Sequence, residues 1–184
     1  MAYTEERDEV WFAPAGFNRG GLNQGNAGVQ VLQASEQLMA RDRDTLYEAN
    51  INPIATFVSE GLVVFGQKTL QVTQSALDRI NVSRLAVFLR TQLDSIAKPF
   101  IFEPNDELTR NEIKQAVESF LLELVGQRAL FDFLVVCDDT NNTPTRIDRN
   151  ELYVDIAIEP VKSVEFIYIP LRIKNTGEIA KLGN

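Results

Sequence analysis

Residues 152–173, LYVDIAIEPVKSVEFIYIPLRI, constrain the fold of this chain more than any other stretch. Leu152, Val154, Ile156 and Ile158 alternate with Tyr153, Asp155, Ala157 and Glu159, the period-two pattern of a strand with one buried face. The connection from Pro160 to Ser163 fits a hairpin. In the strand expected over 164–173, Ile167, Ile169, Leu171 and Ile173 lie on one side, and Val164, Phe166 and Tyr168 on the other. Both sides are therefore apolar. Pro170 removes an amide that a central strand would need, so this element reads as an edge strand. An edge this hydrophobic is a ready template for pairing with another chain. A protein built to polymerise would use it.

The preceding sequence supplies something for such a sheet to lie on. Residues 130–137, LFDFLVVC, form a nearly unbroken apolar run, as expected for a strand covered on both faces. Two amphipathic helices come before it. In the first, Val82, Leu85, Ala86, Leu89, Leu93 and Ile96 recur at helical spacing, Phe88 broadens the stripe, Asn81 is the expected cap, and Lys98-Pro99 is the expected stop. In the second, Ile113, Ala116, Val117, Phe120, Leu121, Leu124 and Val125 form one stripe; Thr109-x-x-Glu112 reads as a capping box and Gly126 as the end. A shorter helix is expected over 36–49, capped by Ser35 and ended by Asn50, and a short strand over 61–66. Between strands, residues 138–150 read as a polar, turn-rich loop.

Helices followed by strands predict an α+β layer: two main helices on one face of a small, largely antiparallel sheet, with extended N- and C-terminal arms. The arm over 1–34 combines an acidic start, an aromatic knot at 10–17 and glycines at 20, 21, 25 and 28. Trp11, Phe12 and Phe17 are expected to anchor it onto something else. Residues 35–174 read as the folded domain and 175–184 as a frayed tail.

Composition removes several kinds of function. A net charge of −8, without a Lys/Arg cluster, argues against nucleic acid as a partner. No apolar run approaches the ~20 residues that span a bilayer, so direct membrane insertion is not expected. The chain has no histidine, which removes the usual general base and the usual zinc ligand. Its lone cysteine, Cys137, lacks the partner that would activate it and reads as a small core residue. Asp138 and Asp139 follow a strand end, where metal-binding carboxylates can occur, but Asn141, Asn142 and Thr143 beside them favour a turn. GLVVFGQKT at 61–69 resembles a phosphate-binding loop only superficially, because Gln67 separates the second glycine from Lys68. A strand ending in a turn suits it better than a small nucleotide-binding enzyme. No catalytic, metal or cofactor site is expected.

Five blocks in order carry a resemblance: WFAPAGFNRG at 11–20, LYEANINPI at 46–54, GLVVFGQKTL at 61–70, SALDRINVSRL at 75–85 and FIYIPLRIKNTG at 166–177. Together they resemble the C-terminal part of contractile phage tail sheath proteins, the T-even-type myovirus sheath most of all. Members of that family carry long upstream domains, so a chain beginning ten residues ahead of Trp11 is expected to be a shortened relative or a piece of a longer one.

The resemblance implies a structural subunit of the virion, assembled in the host cytoplasm. Such subunits stack as hexameric rings around a tail tube, with the C-terminal domain innermost. Extended arms from neighbours add strands to its sheet. The implied partners are other copies, the tail tube protein, and baseplate and tail terminator proteins. Contraction on a baseplate signal would drive the tube through the host envelope with no bound nucleotide as fuel. The sheath of a related injection machine, a bacteriocin or a type VI secretion system, is the alternative. The residues expected at the subunit interface are Trp11, Phe12, Phe17, Val164, Phe166, Tyr168, Ile169, Leu171 and Ile173. Residues 20–28 and the stretch after Lys174 are the expected hinges. Whether the last strand receives a foreign strand or is itself donated stays open.

Overall fold

The computed structural model describes residues 1–22 and 31–171. Ile173, most of the glycine-rich stretch and the tail expected over 175–184 lie outside the described residues. Five helices and four strands form an α+β arrangement: α1 (Ala2–Arg7), α2 (Ala40–Glu48), β1 (Ile54–Phe57), β2 (Gly61–Val64), α3 (Ile80–Ala97), α4 (Glu107–Gly126), β3 (Leu130–Val136), α5 (Pro144–Ile147) and β4 (Asp155–Pro160). The strands make two antiparallel pairs, β1 with β2 and β3 with β4.

The core forms where α3 and α4 meet β3. Leu85 and Leu89 of α3, Ile113, Val117, Leu121 and Leu124 of α4, and Leu130, Val135 and Cys137 at β3 are all buried together. Each such aliphatic side chain stabilises the fold by roughly 1.5–3 kcal/mol relative to exposure. The helix stripes expected from sequence are thus the core faces. Burial pushes the Cys137 thiol above its ordinary value, consistent with an inert packing residue.

The ends of these elements differ from expectation in instructive ways. Asp106, not Thr109, caps α4: its carboxylate accepts the Thr109 amide at 2.9 Å. Thr109 sits in the first turn and is buried. Asp106 competes better for the cap because a carboxylate accepts a backbone amide more strongly than a hydroxyl does. Helix α3 starts at Ile80 after Arg79, and Asn81 is a buried side chain that donates to the Trp11 carbonyl. Helix α2 starts at Ala40 rather than beside Ser35, with the Asp42 carboxylate accepting the Met39 amide at 2.9 Å. Asn50 does end it, in a left-handed conformation at φ +60°.

The N-terminal segment is folded against its own body where an arm was expected. Ala2–Arg7 is helical, and Glu5 of α1 pairs with Arg84 of α3 at 2.7 Å. Trp11 is only 5% exposed, stacks edge-on against Phe88, and donates its indole N–H to the Gln127 carbonyl at 3.2 Å. Its anchor is this chain's own core. Residues 16–22 then run along β2: the Gly16 amide reaches the Val64 carbonyl, the Val64 amide reaches the Gly20 carbonyl, and the Leu22 amide reaches the Leu62 carbonyl. A side chain at Gly20 would put its Cβ 2.5 Å from the Val64 oxygen, which explains a glycine there.

Strand β3 is covered on one face only, against the expectation of two. Phe131 and Leu134 are 76% and 61% exposed. The β3–β4 register pairs Phe133 with Ile158 and Val135 with Ile156 on the inner face, with a bulge at Phe131. The connection over 138–154 is tied down rather than loose. Asn142 exchanges hydrogen bonds with the Tyr153 backbone at 2.7 and 2.9 Å, and the Asp138 carboxylate closes a turn on the Thr140 amide.

Among the described residues the expected hairpin does not form. Strand β4 ends at Pro160, and no strand follows over 161–171.

A candidate subunit interface: an open sheet and a clasped C-terminal segment

After β4 the chain is gripped at Glu165. Arg79, at the start of α3, faces its carboxylate with Nε 2.6 Å from Oε1 and Nη2 2.9 Å from Oε2. Such a two-pronged pair fixes orientation as well as position. Tyr47, from α2, donates its hydroxyl to Oε2 and accepts from Arg79 Nη2 at 3.2 Å. Gln67, just past β2, donates to Oε1 at 3.3 Å. Lys68 completes the group from the other side, with Nζ 3.7 Å above the Tyr47 ring and 2.6 Å from the Tyr47 carbonyl. Three separate parts of the chain therefore converge on one carboxylate.

The electrostatics follow from that geometry. Burial alone pushes the Glu165 carboxyl up, but the Arg79 guanidinium and the Tyr47 hydroxyl outweigh it and leave it below its ordinary value. Burial pushes the Tyr47 phenol up to about 12, assisted by the Glu165 carboxylate beside it. At neutral pH the clasp thus holds one guanidinium, one carboxylate and one neutral phenol.

Beyond the clasp the segment is uncovered. Phe166 touches Tyr47 edge-on, 5.8 Å between ring centres, and is the last ring contact. Val164, Phe166, Ile167, Tyr168, Ile169 and Leu171 are between 62% and 87% exposed. Beside the clasp, residues 13–16, α2 and residues 163–166 enclose a pocket of about 240 Å³.

The β3–β4 pair has two strands and therefore two outer edges. Among the described residues each strand bonds a neighbour on one side only, leaving backbone groups that can accept an incoming strand.

The residues expected at an interface are thus divided. Trp11 lies in the core, its ring covered within the chain. Phe12 is half-buried under the Arg19 guanidinium, 4.5 Å from the ring. Phe17 packs on Phe57 and Phe65 and keeps half its surface outside. Val164, Phe166, Tyr168, Ile169 and Leu171 lie together on the uncovered segment. The clasp itself was missed by the sequence reading. Its one available signal was Glu165, the single acidic residue within 164–173.

The phosphate-loop alternative is corrected by the backbone. Gly61–Val64 is strand β2, and Lys68 is engaged by Tyr47. The next α-helix, α3, begins only at Ile80, so no α-helix N-terminus directly follows the glycines. Among the described residues no three His, Cys, Asp or Glu side chains group as metal ligands, and no helix is long and apolar enough to cross a membrane.

The fold is a two-stranded sheet over a helix pair, with a clasped apolar segment leaving it. The chain belongs to the phage tail sheath C-terminal domain family, whose model matches residues 72–174. It is similar to the tail sheath protein of Vibrio phage KVP40, 42% identical over 166 residues covering 90% of this chain and 24% of that protein. The tail sheath protein of Enterobacteria phage T4 is 34% identical over 176 residues, 96% of this chain and 26% of that protein. The chain thus spans about a quarter of the length of these relatives. In fold it resembles a chain of the anti-feeding prophage baseplate, with a TM-score of 0.81 and 24% identity over 94% of this chain and 47% of that one. It also resembles the contracted helical sheath of the same particle, with a TM-score of 0.79 and 25% identity over 93% and 47%.

Proposed function

We propose that this chain acts as the polymerising inner part of a contractile phage tail sheath, its 35–174 unit facing the tail tube. Subunits stack as hexameric rings and join by adding a strand from one copy to the sheet of another. Shortening of the lattice drives the tube through the host envelope. The work is conformational, so the chain is not an enzyme and needs no nucleotide, metal or cofactor. Its partners are other copies, the tube protein, and baseplate and terminator proteins, within a virion assembled in the host cytoplasm. Nucleic acid and the membrane interior are not among them.

One observation carries this reading: residues 164–171 are apolar, gripped at one end and exposed, in a chain whose sheet has two open edges. Main-chain pairing supplies affinity at each joint, and repetition through a lattice multiplies it. The test is electron microscopy and sedimentation of the purified chain. Rings, tubes or discrete higher oligomers are expected. A monomer that persists at high concentration, and that does not enter sheaths assembled from a full-length relative, would refute the reading.

The sheath of a non-phage injection machine is the second reading, favoured by the fold likeness to the anti-feeding prophage sheath. The greater identity to phage sheaths favours the first. Capsid and terminase genes beside the coding sequence would support the phage; effector and ATPase genes would support the alternative.

A further inference from the structure

The pocket beside the Glu165 clasp presents hydrogen-bond acceptors that have no donor among the described residues. We propose that it binds a primary ammonium group carried on a short apolar chain, with the Asp44 carboxylate and the Gln67 side-chain oxygen as its acceptors. This goes beyond the polymerising role above and does not depend on how copies join.

Two acceptors in the pocket wall are open. The Gln67 side chain is only 4% exposed. Its Nε2 donates to Glu165 at 3.3 Å, and that bond fixes the amide, because the reverse orientation would set its oxygen against a carboxylate. The Gln67 Oε1 is left buried and, among the described residues, without a partner. A buried acceptor in that state is costly until a donor reaches it. Asp44, on α2, stands in the same wall. Among the described residues its carboxylate has neither an ion pair nor a hydrogen bond.

The charged and phenolic donors nearby are engaged elsewhere. The Tyr47 hydroxyl donates to Glu165, whose charge is met by Arg79. Arg43 donates to the Leu38 carbonyl at 3.1 Å and lies over the Phe57 ring, 4.9 Å from its centre. Open acceptors beside engaged donors call for a ligand that donates.

Charge and shape narrow its chemistry. An unpaired carboxylate selects a cationic donor over a neutral one and repels an anion. The rings of Tyr47, Phe65 and Phe166 also stand in the walls, and π faces attract a cation. The volume of about 240 Å³ equals about eight waters at a liquid share of ~30 Å³ each, which suits a short chain and not a peptide strand. Residues 163–166 form one wall, and residues 13–16 and α2 form others. A bound ammonium therefore touches both the C-terminal segment and the body, so ligand and segment hold each other in place.

Chemical-shift titration of the isotope-labelled chain tests this, with n-butylammonium chloride, 1-butanol and sodium butyrate as matched probes at constant ionic strength. Saturable shifts at residues 44, 65–67 and 163–166 are expected, with the ammonium about tenfold or more tighter than the alcohol or the anion. Asp44→Asn, at an exposed side chain, should abolish that preference, and Phe166→Ala should weaken the ammonium severalfold. The unshifted remainder of each variant's spectrum checks its fold. A parallel titration with Nα-acetyl-lysine amide distinguishes the source of the ammonium. Tighter binding than n-butylammonium assigns the pocket to a lysine side chain of a partner protein, and weaker binding assigns it to a free amine. Equal affinity for the three butyl probes, a preference for ammonium that survives Asp44→Asn, or no saturable shift would overturn the proposal.

Discussion

Arg79 and Glu165 meet across 86 positions of sequence, the guanidinium Nε and Nη2 lying 2.6 and 2.9 Å from the two carboxylate oxygens. Between that pair and Leu171, the last described residue, the apolar side chains are largely uncovered. The pair therefore separates a folded domain from an exposed apolar segment.

Breaking the pair should loosen the segment without unfolding the domain. Both side chains keep part of their surface in water, so Glu165→Gln should cost about 1–2 kcal/mol, confined to the C-terminal segment. Limited proteolysis is the measurement. Cleavage within 161–171 should accelerate about tenfold, while the denaturation midpoint of the core stays nearly unchanged.

The clasp should also be visible in the ultraviolet. The Tyr47 phenol is raised to about 12, against an ordinary value of about 10. A phenol raised on folding adds stability that is complete below pH 10 and is lost as pH rises towards 12. The Glu165 carboxyl, lowered on folding, adds stability that is complete above its ordinary value near 4.5 and is lost as pH falls below it. Absorbance titration should show a late-titrating tyrosine that is absent in Tyr47→Phe. Protease sensitivity of 161–171 should rise both in acid and above pH 10.

The cap of α4 lies three positions before the expected Thr109, at Asp106. Asp106→Ala should destabilise the chain by about 1 kcal/mol in urea unfolding, while Glu112→Ala should change it by less than about 0.5 kcal/mol. Equal effects would restore the capping box read from sequence.

Trp11 makes the strongest demand on the core. Trp11→Ala should cost about 3–5 kcal/mol, because the indole fills the space beside Phe88 and its N–H satisfies the Gln127 carbonyl. Phe17→Ala, at a half-exposed ring, should cost much less. Guanidinium unfolding of the two variants measures the difference.

The residues explain why parts of the fold were legible. Helical stripes at 82–96 and 113–125 are long enough for periodicity to identify their faces. Period-two alternation located β4 because its inner and outer residues differ in polarity. Strand β1 has four residues behind a proline, too few for any period to show. The uncovered outer face of β3 was hidden because Phe131 and Leu134 are apolar without being buried. The failed hairpin misled for a related reason. Its hydrophobic pattern is that of a strand, but among the described residues no strand pairs with it, and the clasp depends on residues that no local pattern connects.

The central claim is that residues 164–171 belong to a neighbour's sheet, and amide hydrogen exchange measures this directly. In the monomer, the amides of Ile167, Ile169 and Leu171 should exchange at nearly unprotected rates. In assembled particles they should slow by a factor on the order of 100 or more, together with those of β4. Equal protection in monomer and assembly, or none in the assembly, would contradict the account.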